Sequence, residues 1–320
     1  MYGLRAIFRK ELEDHFSSAR FILLLTVILM VSLVTAYMVG SGLKKEMEGY
    51  AKPSMVFLLL FTSTGALFSL AQFIAFFGPL IGMVLGFDAI NRERSSSTLS
   101  KLVSQPIYRD SVINGKFLAG LTTIALMLVA IVLLISGIGL WVLGVVPGWD
   151  EVGRLLLYLV ISIVYIGFWL AVSILFSTLF RGMATSALAS LALWIFLAFF
   201  MGLIASLSAN ALSPIPPGAG SDAQAVINQE RTREMVASLS PITLYSGAYA
   251  TILDPMRKTT RSLILMGPWE RLSISRFQNP LPLWQSALIV MPHLVSLVAV
   301  TVICFAICYA CFMRQEIRST

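Results

Sequence analysis

Charge is scarce in this sequence. Only 12% of its 320 residues are charged, against 58% that are hydrophobic, and mean hydropathy is +0.86. A soluble domain carries about 25% charged residues. So few charges cannot clothe a water-facing surface, so the surrounding solvent must largely be lipid. Cysteine is limited to Cys304, Cys308 and Cys311, all in the last apolar segment, which excludes a disulfide framework. The chain has no G-x-x-x-x-G-K-[ST], so it cannot itself cradle ATP phosphates. It also lacks H-E-x-x-H, and no apolar segment holds the carboxylates that a proton-coupled transporter or intramembrane protease would use. Formal net charge is +7, yet the basic residues cluster beside apolar runs rather than forming a stripe with aromatics. That pattern fits anionic lipid headgroups and argues against nucleic acid.

What the sequence does have is long apolar intervals. About 20 residues cross the hydrocarbon of a bilayer, and runs of that length can only be helices there. The intervals predict about six spans. They are Phe21 to Gly40, a long one between Lys52 and Asp88, Phe117 to Val146, Leu155 to Phe180, Met183 to Leu207 and Leu283 to Met313. In the second, Gly65 to Phe87 is the expected core, with Ser54 to Thr64 tilted or at the interface. Met1 to Arg20 is charged and amphipathic, and the apolar run after it is too long for a cleavable signal. Leu4, Phe8 and Leu12 recur every four residues, which predicts an interfacial helix.

Basic residues set the orientation. Arg5, Arg9, Lys10 and Arg20 precede the first span; Arg92, Arg94, Lys101, Arg109 and Lys116 follow the second. Arg181, Arg314 and Arg318 fall on the same side, whereas the opposite short loops hold only Lys44, Lys45, Lys52 and Arg154. The first group is expected in the cytoplasm, with both termini. Residues 208–282 then form a large extracytoplasmic loop open to an extracytoplasmic partner. Within it Ser221 could cap a short helix, and Ile242 to Leu253 is apolar enough to dip into the membrane.

Residues 88–116, between the second and third spans, are too long for a minimal turn and can form a short helix ended by Pro106. Gripped from below, such a helix is a lever on both spans. Here the sequence resembles the ABC-2 type exporter permeases. The run R-E-R-S-S-S-T-L-S-K-L-V-S-Q-P-I-Y-R, followed by G-K, is similar to their cytoplasmic coupling loop. The matching positions are Glu93, Thr98, Leu99, Leu102, Pro106, Arg109, Gly115 and Lys116. R-K-E-L at Arg9 to Leu12, L-S-P at Leu239 to Pro241 and F-M-R-Q-E-I at Phe312 to Ile317 add to it. Ser97 stands where a glycine is usual, and Ser100-Lys101 where an acidic-apolar pair is common.

The resemblance implies an all-α permease domain over residues 21–320, with residues 1–20 as the interfacial helix. It implies docking of a cytoplasmic ATP-binding subunit through Arg92, Glu93, Arg94, Thr98, Leu99, Leu102, Pro106 and Arg109. ATP and Mg would sit on that partner and no cofactor on this chain. Two permease chains, identical or different, and two ATPases would make the unit, in a prokaryotic plasma membrane. Gly78, Gly82 and Gly86 form a small-residue stripe suited to helix packing or a dimer seam. The three cysteines share one helix face, a pattern open to Cu(I) but more ordinary as packing. A stand-alone membrane protein, whether intramembrane enzyme, secondary transporter or structural subunit, is the competing reading. The cargo carries no motif.

Overall fold

A computed structural model describes residues 2–47, 55–63, 68–96, 108–215, 223–260 and 279–314. All regular structure among them is helical. Helix α1 is Tyr2–Ser17, α2 Ala19–Glu46, α3 Val56–Thr62 and α4 Leu70–Gly86. Then come the short α5 Asn91–Ser95, α6 Arg109–Leu143 and α7 Trp149–Leu179. Helices α8 Met183–Ile195 and α9 Met201–Leu212 are joined by a π-helical turn, Phe196–Phe200, into one span. Helices α10 Ala223–Ala237, α11 Pro241–Leu253 and α12 Leu283–Arg314 are the last among the described residues. Six of the helical stretches are long and apolar enough to cross a membrane. They coincide with the intervals read from the sequence.

Helix α7 is the axis of the bundle. Its most apolar window is 72% buried, against 17% for the α8–α9 span and for α12. Helices α4, α6, α11 and α12 all pack on it. The Gly78-Gly82-Gly86 stripe is what lets α4 close on α7. A Cβ on Gly82 would lie 2.6 Å from the Ile166 carbonyl oxygen, and one on Gly86 would lie 2.8 Å from Ser173 Cβ. The space these glycines leave is filled by α7 of the same chain.

Irregular backbone inside the bundle is matched by side chains, as lipid requires. Pro79 lacks an N–H, so Ala75, one turn earlier, has no helical donor. The Tyr165 hydroxyl donates to that carbonyl at 2.8 Å. The Leu197 carbonyl, in the π-helical turn, accepts from Ser240 Oγ at 2.8 Å.

Two segments are more buried than the sequence suggests. Val56–Thr62 packs inside the bundle: Phe57, Leu58, Leu60 and Phe61 are all essentially inaccessible. The cause is its packing against α2, α4, α6 and α11. Helix α11, from the expected outer loop, lies in the core. Tyr245 stacks on Tyr165, midway along α7, with ring centroids 4.2 Å apart and planes at 3°. Its hydroxyl is 2.7 Å from Ser162 Oγ. The axes of α10 and α11 differ by 108°. Together they form a re-entrant pair that enters and leaves at one end of the bundle.

Substituting Gly82 or Gly86 by Ala should destabilise the chain by about 1–3 kcal/mol, because the clash is largely with α7 backbone. Gly42, whose Cβ would meet nothing within 4 Å, is the control. Melting midpoints in detergent check this: G82A and G86A fall, and G42A does not.

Candidate functional site

At one end of the bundle three helices meet over a buried ammonium. Lys116, two turns into α6, is 4% exposed. Its Nζ donates to Glu11 Oε1 of α1 at 2.8 Å and pairs with Glu93 Oε1 of α5 at 2.9 Å. Lys10 closes the cluster from the solvent side, 3.2 Å from Glu11 and 3.5 Å from Glu93. Gly115 makes the approach possible: a Cβ there would come within 2.8 Å of Ile7 Cγ2 on α1. The adjacent Gly and Lys thus do one job, the first admitting α1 and the second holding it.

Helix α5 is fixed on its other side by the end of α7. Ser177 Oγ accepts from the backbone N–H groups of Ile90 and Asn91, at 3.0 and 3.2 Å. Asn91 Nδ2 donates to the Gly182 carbonyl, and Arg94 donates to those of Phe180 and Thr178. The start of α2 is tied to the same place by Arg20, which pairs with Asp88 at 2.9 Å and lies over the Phe87 ring. Four basic groups from distant parts of the sequence are therefore gathered at one end.

Electrostatics keep Glu11 charged. Burial pushes the Glu11 carboxyl up, but Lys116 and Lys10 outweigh it and hold Glu11 below the usual carboxylate range. Burial, with Lys116 nearby, holds the His15 imidazole below its usual value. This arrangement can transmit force or position a surface; it holds no nucleophile and base in hydrogen-bond register.

The residues expected at a docking surface divide. Arg92 is exposed. Glu93 is 6% exposed and faces Lys116, and Arg94 is half-buried against the end of α7. Arg109 opens α6. Thr98, Leu99, Leu102 and Pro106 lie outside the described residues, as do Ser97, Ser100 and Lys101.

The other end has a pin the sequence reading did not single out. Arg154, counted there only as a loop charge, is fully buried. It pairs with Asp150 at 2.7 Å and donates to the Ile252 carbonyl at 2.9 Å, to Ser286 Oγ at 3.2 Å and to the Leu281 carbonyl. One guanidinium thereby joins α7, α11 and α12. Its neighbour Glu151 accepts from the backbone N–H groups of Phe57 and Gly148, at 3.0 and 2.8 Å. The signal available was an acid-rich first turn, Asp150-Glu151, with Arg154 four residues after Asp150. The cysteines pack: Cys308 is buried 3.7 Å from Thr178 Oγ1, and Cys304 is buried one turn away. Among the described residues no group of His, Cys, Asp and Glu is arranged to hold a metal ion.

The model of the ABC-2 family transporter proteins matches residues 5–317. The chain belongs to this family. None of the curated proteins compared matches it. As an ABC-2 permease it is a multi-pass membrane protein and a transport subunit rather than a catalytic one, and association with an ABC ATP-binding subunit follows from the family.

Lys116→Met should release α1 from the permease. It leaves two buried carboxylates with only Lys10, on the solvent side, as their cation, a loss of about 3 kcal/mol. Adding Glu11→Gln and Glu93→Gln should restore most of it. Amide exchange over residues 2–17 reads both effects. In the unaltered chain, protection of α1 should be level from pH 7 to 8. It should decline as pH falls below 6.5, because the folded chain disfavours the charged form of His15. It should decline further below 4.5, where the unfolded chain takes up protons that folded Glu11 resists.

Proposed function

We propose that this permease is the membrane half of an ATP-driven exporter in a prokaryotic plasma membrane. The end carrying Lys116 faces the cytoplasm, with both termini. A separate ATP-binding subunit, carrying the ATP and Mg, docks there. Arg92 and Arg109 border the docking surface, and Thr98, Leu99, Leu102 and Pro106 carry its apolar contact. Glu93 and Arg94 act one step behind it, Glu93 through Lys116 and Arg94 through the end of α7. Two permease chains and two ATPases form the working unit.

The observation that carries this reading is the Glu11–Lys116–Glu93 cluster. It ties the segment before residues 97–107 to the base of α6, and it brings α1 along. A push on that segment therefore moves α1, α6 and the end of α7 together rather than bending a loose connection. The basic residues gathered at this end support the cytoplasmic assignment. Energy supplied there needs no titratable group inside the spans, which fits their lack of carboxylates.

The test is co-purification with candidate ATP-binding subunits, followed by ATPase assays with and without the permease. Leu99→Glu with Leu102→Glu should abolish the complex, with the chain still inserted. Arg92→Glu should weaken it about tenfold, as expected for a charge pair at an interface rim. Lys116→Met should leave binding largely intact but lower permease-dependent ATPase stimulation. Failure of every candidate ATPase to bind would overturn the exporter reading in favour of a stand-alone membrane protein.

A further inference from the structure

Two cavities flank α11 at the end of the bundle opposite Lys116. The first, about 470 Å³, lies between α10, α11 and α12 and is lined by Arg231, Glu234, Thr243 and His293. The second, about 480 Å³, lies between α11 and the start of α4 and is lined by Gln72, Ser246, Asp254 and Arg257. Thr243, Gly247 and Thr260 line both, so the two meet across α11. Gly247 lies at that meeting point, where a Cβ would be in ordinary contact with His293 Nε2 at 3.4 Å.

Their chemistry is unlike that of the surrounding apolar spans. Among the described residues, each brings one guanidinium together with one carboxylate, Arg231 with Glu234 and Arg257 with Asp254. Arg231 makes no hydrogen bond or ion pair among the described residues, and Arg257 uses only Nε, on the Thr259 carbonyl. Both guanidinium groups therefore have donors to give. Asp254 uses Oδ1 on the Met256 N–H, which leaves its other oxygen.

Depth says what could reach them. Helix α12 is 32 residues long. At 1.5 Å per residue it is about 48 Å long, so it overhangs a hydrocarbon core of about 30 Å by about 9 Å at each end. His293 is about 15 Å from the start of the helix, about 6 Å below the hydrocarbon boundary on that count, within reach of headgroups above it. Beside the first cavity, α12 shows lipid an open apolar track of Met291, Val295 and Val298.

We propose that the paired cavities bind the zwitterionic headgroup of a membrane phospholipid. The phosphate pairs with Arg231 or Arg257, the ammonium sits by the carboxylate sharing that cavity, and the acyl chains follow the exposed face of α12. A purely anionic headgroup would meet a carboxylate beside each guanidinium and bring no ammonium to it. This assignment rests on the chain spanning a membrane, not on its being driven by ATP.

Native mass spectrometry of the delipidated full chain tests it, with phosphatidylethanolamine and phosphatidylglycerol of the same acyl chains as probes. Phosphatidylethanolamine should be retained more tightly. Arg231→Gln with Arg257→Gln should weaken it about tenfold, the loss expected when charge-assisted hydrogen bonds to a phosphate are removed. Arg233→Gln, whose guanidinium is already held by Glu230, is the control and should change nothing. Equal or tighter retention of phosphatidylglycerol, or a loss under about threefold in the double variant, overturns the assignment. Should the double variant fail to fold, a photoactivatable phosphatidylethanolamine on the unaltered chain decides. Labels on α10, α11 and α12 support the site, and labels confined to other helices overturn it. No ATPase enters these measurements, so their failure leaves the exporter reading standing. Lipid retention without any ATPase partner would do the reverse.

Discussion

A buried ammonium must keep its counter-ions, and the base of this permease is organised around that constraint at Lys116. Removing the charge from water costs several kcal/mol unless carboxylates replace the lost solvation. Glu11 and Glu93 supply them from helices that are 105 and 23 residues away along the chain. An otherwise marginal 16-residue amphipathic helix is thereby given a fixed place. So is the five-residue α5, which could not persist alone. Arg154 does the same at the far end, where its donors hold the tops of α7, α11 and α12. Between these two charged pins the interior is largely apolar, and two of its hydroxyls serve backbone that the helices leave open.

That last point explains the irregularities. Pro79 and the π-helical turn at Phe196–Phe200 would each leave a carbonyl exposed to hydrocarbon. Tyr165 and Ser240 reach across to them from other elements. Ser240 stands just before α11 with Pro241 at the first helical turn, and its side chain bonds Leu197 rather than its own helix. The L-S-P run is thus a junction between the re-entrant pair and the fifth span. A defect in one helix becomes a specific contact for another, so these bends also fix which elements are neighbours.

The spans were legible because lipid allows one solution to a long apolar run. Their limits in the structure, such as Trp149–Leu179 for the expected Leu155 to Phe180, extend past the charge-free core because helices overhang the hydrocarbon. The amphipathic start of the chain was legible too. The convergence of R-K-E-L, Glu93 and Gly-Lys was not, although each was visible as a fragment. Pairing across 105 residues leaves no local pattern, and Glu93 on a basic loop reads as a surface acid until Lys116 is found beneath it. The burial of α3 and α11 was hidden for a similar reason: seven and thirteen apolar residues are too short to span, so composition alone leaves their depth open.

The distribution of burial then separates a fixed part from a face. Helices α4 and α7 interlock through Gly82 and Gly86, whose substitution would strike α7 backbone, and Gly120 of α6 faces the Leu170 side chain of α7, so the three helices form one closely packed body. The α8–α9 span and α12 expose most of their apolar surface instead, and each carries its own break, the π-turn in one and Pro292 in the other. The re-entrant pair bridges the two parts: Tyr245 is stacked on α7, while Ser240 holds the π-turn. On the proposed reading, a displacement applied near Lys116 enters the interlocked body first. It can reach the exposed spans directly, through their packing on α7, or through α11. Since α11 also separates the two polar cavities, the element that carries that motion would be the one that alters their shape.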